Sequence, residues 1–351
     1  MDVGLLMSYS GGFAEAARRL GDFEAAGVDS VLLPEAYTFD SVSQLGHLAA
    51  RTERMRLATS ILNVYSRTPA LLAMTAAGLD FVSEGRFELG IGASGPQVVE
   101  GFHGLPHTAP LTRIREVIEI CRTVWRREPL RHEGRVFQLP LTAERGGTGR
   151  GGRALKLINH PVRPDIPIVL AALGPKSVEL AAELCEGWQP TLYLPEAAKE
   201  VFGPSLAAGR ARRLAGLPPL RVVADVKVLV SDDAEELAAG RQRVREYVAL
   251  YVGGMGARGR DFYNALVARY GFEGPAAEIE ELYQSGRKDE AAAAVPGELV
   301  DAVALVGPRG LVAERVAAFR DSGVTGLNAA PIALTHDRRV EDMELLKRLA
   351  G

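Results

Sequence analysis

Short apolar runs alternate with amphipathic stretches from one end of this chain to the other, and no other feature narrows the fold as far. Val3-Gly4-Leu5-Leu6-Met7 reads as a buried strand. From Phe13 onward, Ala16, Ala17, Leu20 and Phe23 fall at helical spacing, with Glu15, Arg18, Arg19 and Asp22 on the other face. Gly27 then stops the helix, and Ser30-Val31-Leu32-Leu33 follows as a second strand. The pattern predicts further strands over 56–61, 86–91, 166–171, 188–192, 221–230 and 324–330. Helices are predicted over 41–53, 69–83, 110–127, 175–186, 195–215, 232–250 and 337–350. Eight strands, each followed by a helix, is the grammar of a parallel sheet covered on its outer side. In 351 residues that count favours a closed (β/α)8 TIM barrel of α/β class over an open sheet of five or six strands.

Two stretches break the rhythm and read as insertions, after strand 4 (about 129–165) and after strand 7 (about 253–297). The first holds Pro129, a hairpin pattern around Arg131–Gln138 and the loop 144–153, rich in Gly and Arg. The second holds Gly253-Gly254-Met255-Gly256 and two or three helical pieces. No low-complexity linker separates two halves, so 1–351 reads as a single domain.

Composition excludes several functions. Lys and Arg number 41 and Asp and Glu 44, a net charge of −3, which is no footprint for nucleic acid. No apolar run reaches the ~18 residues of a membrane span. The start, Met1-Asp2-Val3-Gly4, lacks the basic region of a secretory leader, so a cytoplasmic location is expected. Cys121 and Cys185 are too few for a disulfide framework or a cysteine zinc site. The six histidines show no metal spacing on one helix, and no metal is expected.

In a barrel the chemistry gathers where strands end, in the loops leading to the helices. Those ends are Ser8-Tyr9-Ser10-Gly11-Gly12, Pro34-Glu35-Ala36-Tyr37-Thr38-Phe39-Asp40, Thr59-Ser60-Ile61-Leu62-Asn63, Gly90-Ile91-Gly92-Ala93-Ser94-Gly95 and Ala171-Ala172-Leu173-Gly174-Pro175-Lys176-Ser177. They are rich in Gly, Ser and Thr and poor in acids and histidines, which suits holding a large cofactor more than hydrolysis. Gly90, Gly92 and Gly95 spell G-x-G-x-x-G, but Pro96 follows and no acid ends the next strand, so a dinucleotide fold is disfavoured. The glycines read as a loop whose backbone approaches a flat or anionic ligand, or as a tight turn. Gly174-Pro175-Lys176-Ser177 opens a helix whose free amides could cradle a phosphate, or is an ordinary helix start. Arg145, Arg150, Arg153 and Lys156 form a basic loop, either solvated or a contact for an anionic cofactor tail.

These strand ends, with Arg67-Thr68-Pro69, Gln97-Val98-Val99-Glu100-Gly101 and Tyr251-Val252-Gly253-Gly254-Met255-Gly256, resemble the luciferase-like monooxygenase superfamily. Within it they are most similar to the actinobacterial branch of coenzyme F420-dependent oxidoreductases, over nearly the whole chain. The resemblance implies a non-prolyl cis peptide between Ser60 and Ile61, pressed against the central ring of a deazaflavin. It places Glu35 and Asn63 near the ring edge, Ala93 and Ser94 at a backbone contact, and Gly174, Lys176 and Ser177 at a phosphate. Glu35, Tyr37 and Asp40 are the candidate proton donors, each with a plainer alternative as loop cap, packing aromatic or helix cap. Relatives acting on a sugar phosphate carry a histidine and a glutamate where this chain has Ala36 and Gly95, so that substrate is disfavoured. Methanogen pterin reductases likewise use acids near strand 4 that are missing here.

The implied activity is hydride transfer between coenzyme F420 and a small organic substrate bearing a C=C, C=N or carbonyl group. The alternatives are an FMN-dependent monooxygenase on the same fold and a flavin-binding barrel without turnover. The expected partner is a second copy of the chain, in a homodimer; neither nucleic acid nor membrane is expected.

Overall fold

The computed structural model describes residues 1–8, 12–150, 152–256 and 261–351. Tyr9, Ser10 and Gly11 of the first strand end, and Gly151 of the basic loop, lie outside the described residues. Eight parallel strands close a barrel: β1 (Asp2–Leu6), β2 (Ser30–Leu33), β3 (Arg56–Thr59), β4 (Phe87–Gly92), β5 (Ile168–Ala171), β6 (Gly187–Gln189), β7 (Arg221–Val230) and β8 (Gly326–Pro331). The register runs round the ring without a gap. Gly4 lies beside Ser30, Leu32 beside Ala58, Leu57 beside Phe87 and Leu89 beside Ile168. Val169 then lies beside Gly187, Gly187 beside Arg221, Asp225 beside Asn328 and Gly326 beside Asp2.

The ring closes because both faces of each strand are covered. Val222, Ala224, Val226 and Val228 alternate along β7 and are buried toward the helices. Arg221, Val223, Asp225 and Lys227 point the other way, into the barrel. The N-terminal end of the interior is filled by a charged cluster. Arg56 pairs with Asp2 at 2.6 Å and Glu88 at 3.2 Å, and Arg221 pairs with Glu88 at 3.0 Å.

The helices follow the predicted alternation, with informative differences. The segment read as one helix from Phe13 is two, Phe13–Arg18 and Leu20–Ala25, broken at Arg19 (φ −103°). Gly27 takes φ +84° and stops the second, as its position required. Between β7 and β8 the structure adds a strand and helix that periodicity missed, Leu305–Gly307 and Arg309–Asp321. That strand pairs only with the C-terminal end of β7, and three residues are too few to show a period. It extends the barrel wall without entering the ring.

Buried carboxylates order the first of the two long connections, and helix packing the second. In the first, His132–Glu133 and Gln138–Leu139 form the antiparallel hairpin. Glu116, from helix Pro110–Trp125, accepts the Val136 and Phe137 amides at 3.0 and 2.7 Å. Burial opposes its ionisation, but those amides outweigh burial and hold the carboxyl below its ordinary range. Further along, Arg163 grips the fully buried Asp80 of helix Pro69–Val82. The second connection packs helices Phe262–Val267, Glu273–Gln284, Lys288–Ala293 and Gly297–Val303 beside the long helix Ala234–Gly254.

Candidate active site

The C-terminal end of β3 is where the barrel departs most from regularity. The Ser60–Ile61 peptide is cis. Thr59 Oγ1 donates to the Gly90 carbonyl at 2.8 Å and accepts the Gly90 amide at 2.9 Å, which ties β3 to β4. A Cβ on Gly90 would stand 1.8 Å from the Thr59 carbonyl oxygen, and one on Gly92 would stand 3.0 Å from Ile61 Cδ1. The first two glycines of the G-x-G-x-x-G run therefore make room for the neighbouring strand. Packing of the strands is thus a reason of its own for glycine at both positions.

Asn63 is buried and organises the next turn. Its Oδ1 accepts the Tyr65 and Ser66 amides at 2.7 and 3.1 Å. That turn delivers Arg67 across the rim to β2's loop. Arg67 Nη1 and Nη2 reach the two Glu35 oxygens at 2.6 and 3.1 Å, and Nη2 reaches Asp40 at 2.6 Å. The Ser41 amide and hydroxyl complete the set on Glu35 at 2.9 and 3.1 Å. Four donors thus occupy Glu35, about as many as a carboxylate accepts. Asp40 caps helix Ser41–Ala49 through the Ser43 amide at 2.7 Å. Burial works against its charge, but the Ser43 groups and Arg67 prevail and keep its carboxyl low. Tyr37 stays exposed, its ring 6.2 Å from that of Phe102. Glu35 and Asp40 are thus brought together as a clamp on Arg67, apart from Tyr37.

Ala93 and Ser94 leave β4 beside the exit of Leu173 and Gly174 from β5, because Ile91 and Leu170 are in register. Leu62–Asn63 pairs with Ile91 and Gly92, so Asn63, Ser94 and Gly174 rise from three neighbouring strand ends. Ser94 takes φ +56°, left-handed backbone that a serine adopts at a cost of about 1–2 kcal/mol. Gly174 is the N-cap of helix Pro175–Leu184 and no side chain caps it. The Ser177 hydroxyl donates back to the Gly174 carbonyl at 2.8 Å. The exposed Lys176 ammonium is paired with Glu179 at 2.9 Å.

The interior just below this rim holds a polar set that the sequence reading missed. Gln189 Nε2 donates to Ser60 Oγ at 2.7 Å and to Asp225 Oδ1 at 2.8 Å. Asn328 Nδ2 donates to the same Asp225 oxygen at 3.0 Å. Burial pushes the Asp225 carboxyl up to about 6, although both amides and Lys227 pull it down. Lys227 lies over the Tyr247 ring, 4.3 Å from its centroid, and Tyr247 is bonded to Thr191 at 2.9 Å. A signal was present: Asp225 and Lys227, two residues apart, stand as charges in the middle of a strand whose only other charge, Arg221, opens it. Cys121 and Cys185 are buried elsewhere, their thiols pushed up to about 12 by burial, which rules them out as nucleophiles near neutrality. Among the described residues no cluster of three metal-ligating side chains occurs.

A profile of the luciferase-like monooxygenase family matches residues 2–326. The chain belongs to that family. Within it, the chain is 42% identical over 331 residues, 93% of each sequence, to a Mycobacterium tuberculosis protein named as a candidate coenzyme F420-dependent oxidoreductase. It is 28% identical over 312 residues to a 5,10-methylenetetrahydromethanopterin reductase of Archaeoglobus fulgidus, covering 86% of this chain and 85% of that one. Its fold is similar to the solved coenzyme F420-dependent tetrahydromethanopterin reductase of Methanopyrus kandleri, with a TM-score of 0.80, 21% identity and coverage of 98% and 96%. The closed barrel expected of a luciferase-like protein is therefore the fold observed, and the cis peptide stands at the bond the resemblance named.

Proposed function

We propose that this chain is a coenzyme F420-dependent oxidoreductase transferring a hydride between the deazaflavin and a small organic substrate. The observation that carries this reading is the 42% identity to a candidate F420-dependent oxidoreductase across 93% of both chains. The residues present fit such a group. The uncapped start of helix Pro175–Leu184 offers the Lys176 amide to a phosphate, with the Ser177 hydroxyl beside it. Ser60, Ile61, Asn63, Ala93 and Ser94 line the adjoining strand ends, where a planar ring would rest against backbone and small side chains. When bound, the deazaflavin supplies the hydride. The protein's part is to fix the ring's position and keep that end of the barrel dry. Glu35 and Asp40 serve that part through Arg67, by holding the loop after β2 against the end of β3.

Titration of the purified protein with oxidised F420 and with FMN, followed by fluorescence, tests the reading. Tight F420 binding with weak FMN binding is expected. Tight FMN binding without F420 binding replaces the reading with that of a monooxygenase.

We further propose that the chain forms a homodimer through helix Pro69–Val82. Its inner face is buried on the barrel, yet Leu71, Met74, Phe81 and Val82 remain exposed, and its one charged residue, Asp80, is buried against Arg163. A helix apolar all round belongs inside an assembly.

A further inference from the structure

We propose that Lys227 is the anchor for a substrate's carbonyl oxygen, which makes the substrate class a compact, mainly apolar carbonyl compound. The inference rests on the oxidoreductase reading above and deepens it. Lys227 and Asp225 share the inner face of β7, with Lys227 in the half of the strand nearer the catalytic end, beside Ala330. Asp225 has its partners, Gln189 and Asn328. Lys227 does not: among the described residues no oxygen accepts a hydrogen bond from its ammonium, which lies over the face of the Tyr247 ring. Asp225 attracts it through space but lies beyond ion-pair distance.

A half-buried ammonium with three donors and no protein acceptor among the described residues is an incomplete arrangement. The space beside it says what would complete it. A cavity of about 10 Å3 is lined by Lys227, Asp225 and Tyr247, and by the apolar Leu6, Leu192 and Val244. That is room for one water-sized group and no more. A single oxygen atom fits it, and the carbon skeleton carrying that oxygen would have to lie outside it. A bulky or multiply charged group would not enter. The apolar wall strengthens a hydrogen bond from the ammonium to such an oxygen, most of all as negative charge grows there. Burial also weakens the lysine's hold on its proton, in the same direction as a role in donating to oxygen.

The probe is cyclohex-2-enone labelled with 13C at the carbonyl, added to the F420-loaded protein, and methylenecyclohexane is the control without oxygen. In the wild type the carbonyl stretch of the bound probe is expected at lower frequency than in water. In Lys227→Met that shift should vanish and the probe's affinity should fall about tenfold or more, with Lys227→Arg intermediate. Methylenecyclohexane should bind both proteins alike, and F420 affinity should be unchanged in each variant. An unshifted carbonyl stretch in the wild type, which needs no variant to fold, overturns the proposal. So does equal enone affinity in Lys227→Met, or a loss of F420 affinity there, which would make the lysine a cofactor residue. If the wild type takes up no F420 but the apoprotein still binds the enone through Lys227, the cofactor reading fails and the anchor stands.

Discussion

Asp225 shows how one enclosed carboxyl can be read as a stability measurement. Burial pushes its carboxyl up to about 6, above the ordinary 3.8, so between those values the folded protein holds more protons than the unfolded chain. Stability from this group is therefore lost as pH rises through that window, and the full penalty is present above about pH 6. Asn at the same position accepts the Gln189 and Asn328 amides without titrating. The advantage of Asp225→Asn over the wild type should grow from pH 4 to pH 7 by roughly 2–3 kcal/mol, read from urea unfolding at each pH. Asp342, also raised to about 6, is common to both proteins and cancels. A difference that stays flat across this range would show that Asp225 is not desolvated as described.

At the scale of elements, the join between β3 and β4 decides where the rim stands. Gly90→Ala puts a methyl group into the Thr59 carbonyl, and the only remedy is to move backbone that carries Ser60 and Ile61. A loss of about 3 kcal/mol is expected, with F420 affinity falling alongside. The same substitution at Gly46, in helix Ser41–Ala49, meets nothing within 4 Å and should add about 1 kcal/mol. Thermal unfolding of the two variants reads both signs. If Gly90→Ala proves as stable as the wild type, the glycine has another role, and close approach of a ligand returns as the reason for it. The run of glycines was plain in the sequence; its purpose was not, because Thr59 lies 31 positions away along the chain from Gly90.

For the whole molecule, the two ends of the barrel have separate tasks. The N-terminal end is closed by the Asp2, Arg56, Glu88 and Arg221 cluster, and the strand ends opposite carry the candidate site. No helix among the described residues is long and apolar enough to cross a membrane. The apolar outer stripe of helix Pro69–Val82 is the surface proposed to meet a second copy of the chain. Met74→Glu should convert the proposed dimer to monomers in sedimentation velocity while leaving the far-ultraviolet spectrum intact. A wild type that sediments as a monomer at micromolar concentration ends that proposal.

The barrel itself was legible in the sequence because its signals are local. A period of two or 3.6 and a glycine stop need only neighbouring residues, and Gly27 and Gly323 both take the positive φ that such stops require. The strand ends were legible for the same reason, and the likeness of their motifs to known relatives placed the cis peptide. What only the tertiary structure decided is which partner each polar side chain meets. Glu35 is bound by Arg67 from 32 positions away, and Ser60 by Gln189 from 129. Closing the ring brings β7 next to β8 and thereby turns Asp225 from a charge in a strand into part of a set with Asn328 and Gln189. Such pairings depend on register around a closed circle, which no window of sequence contains.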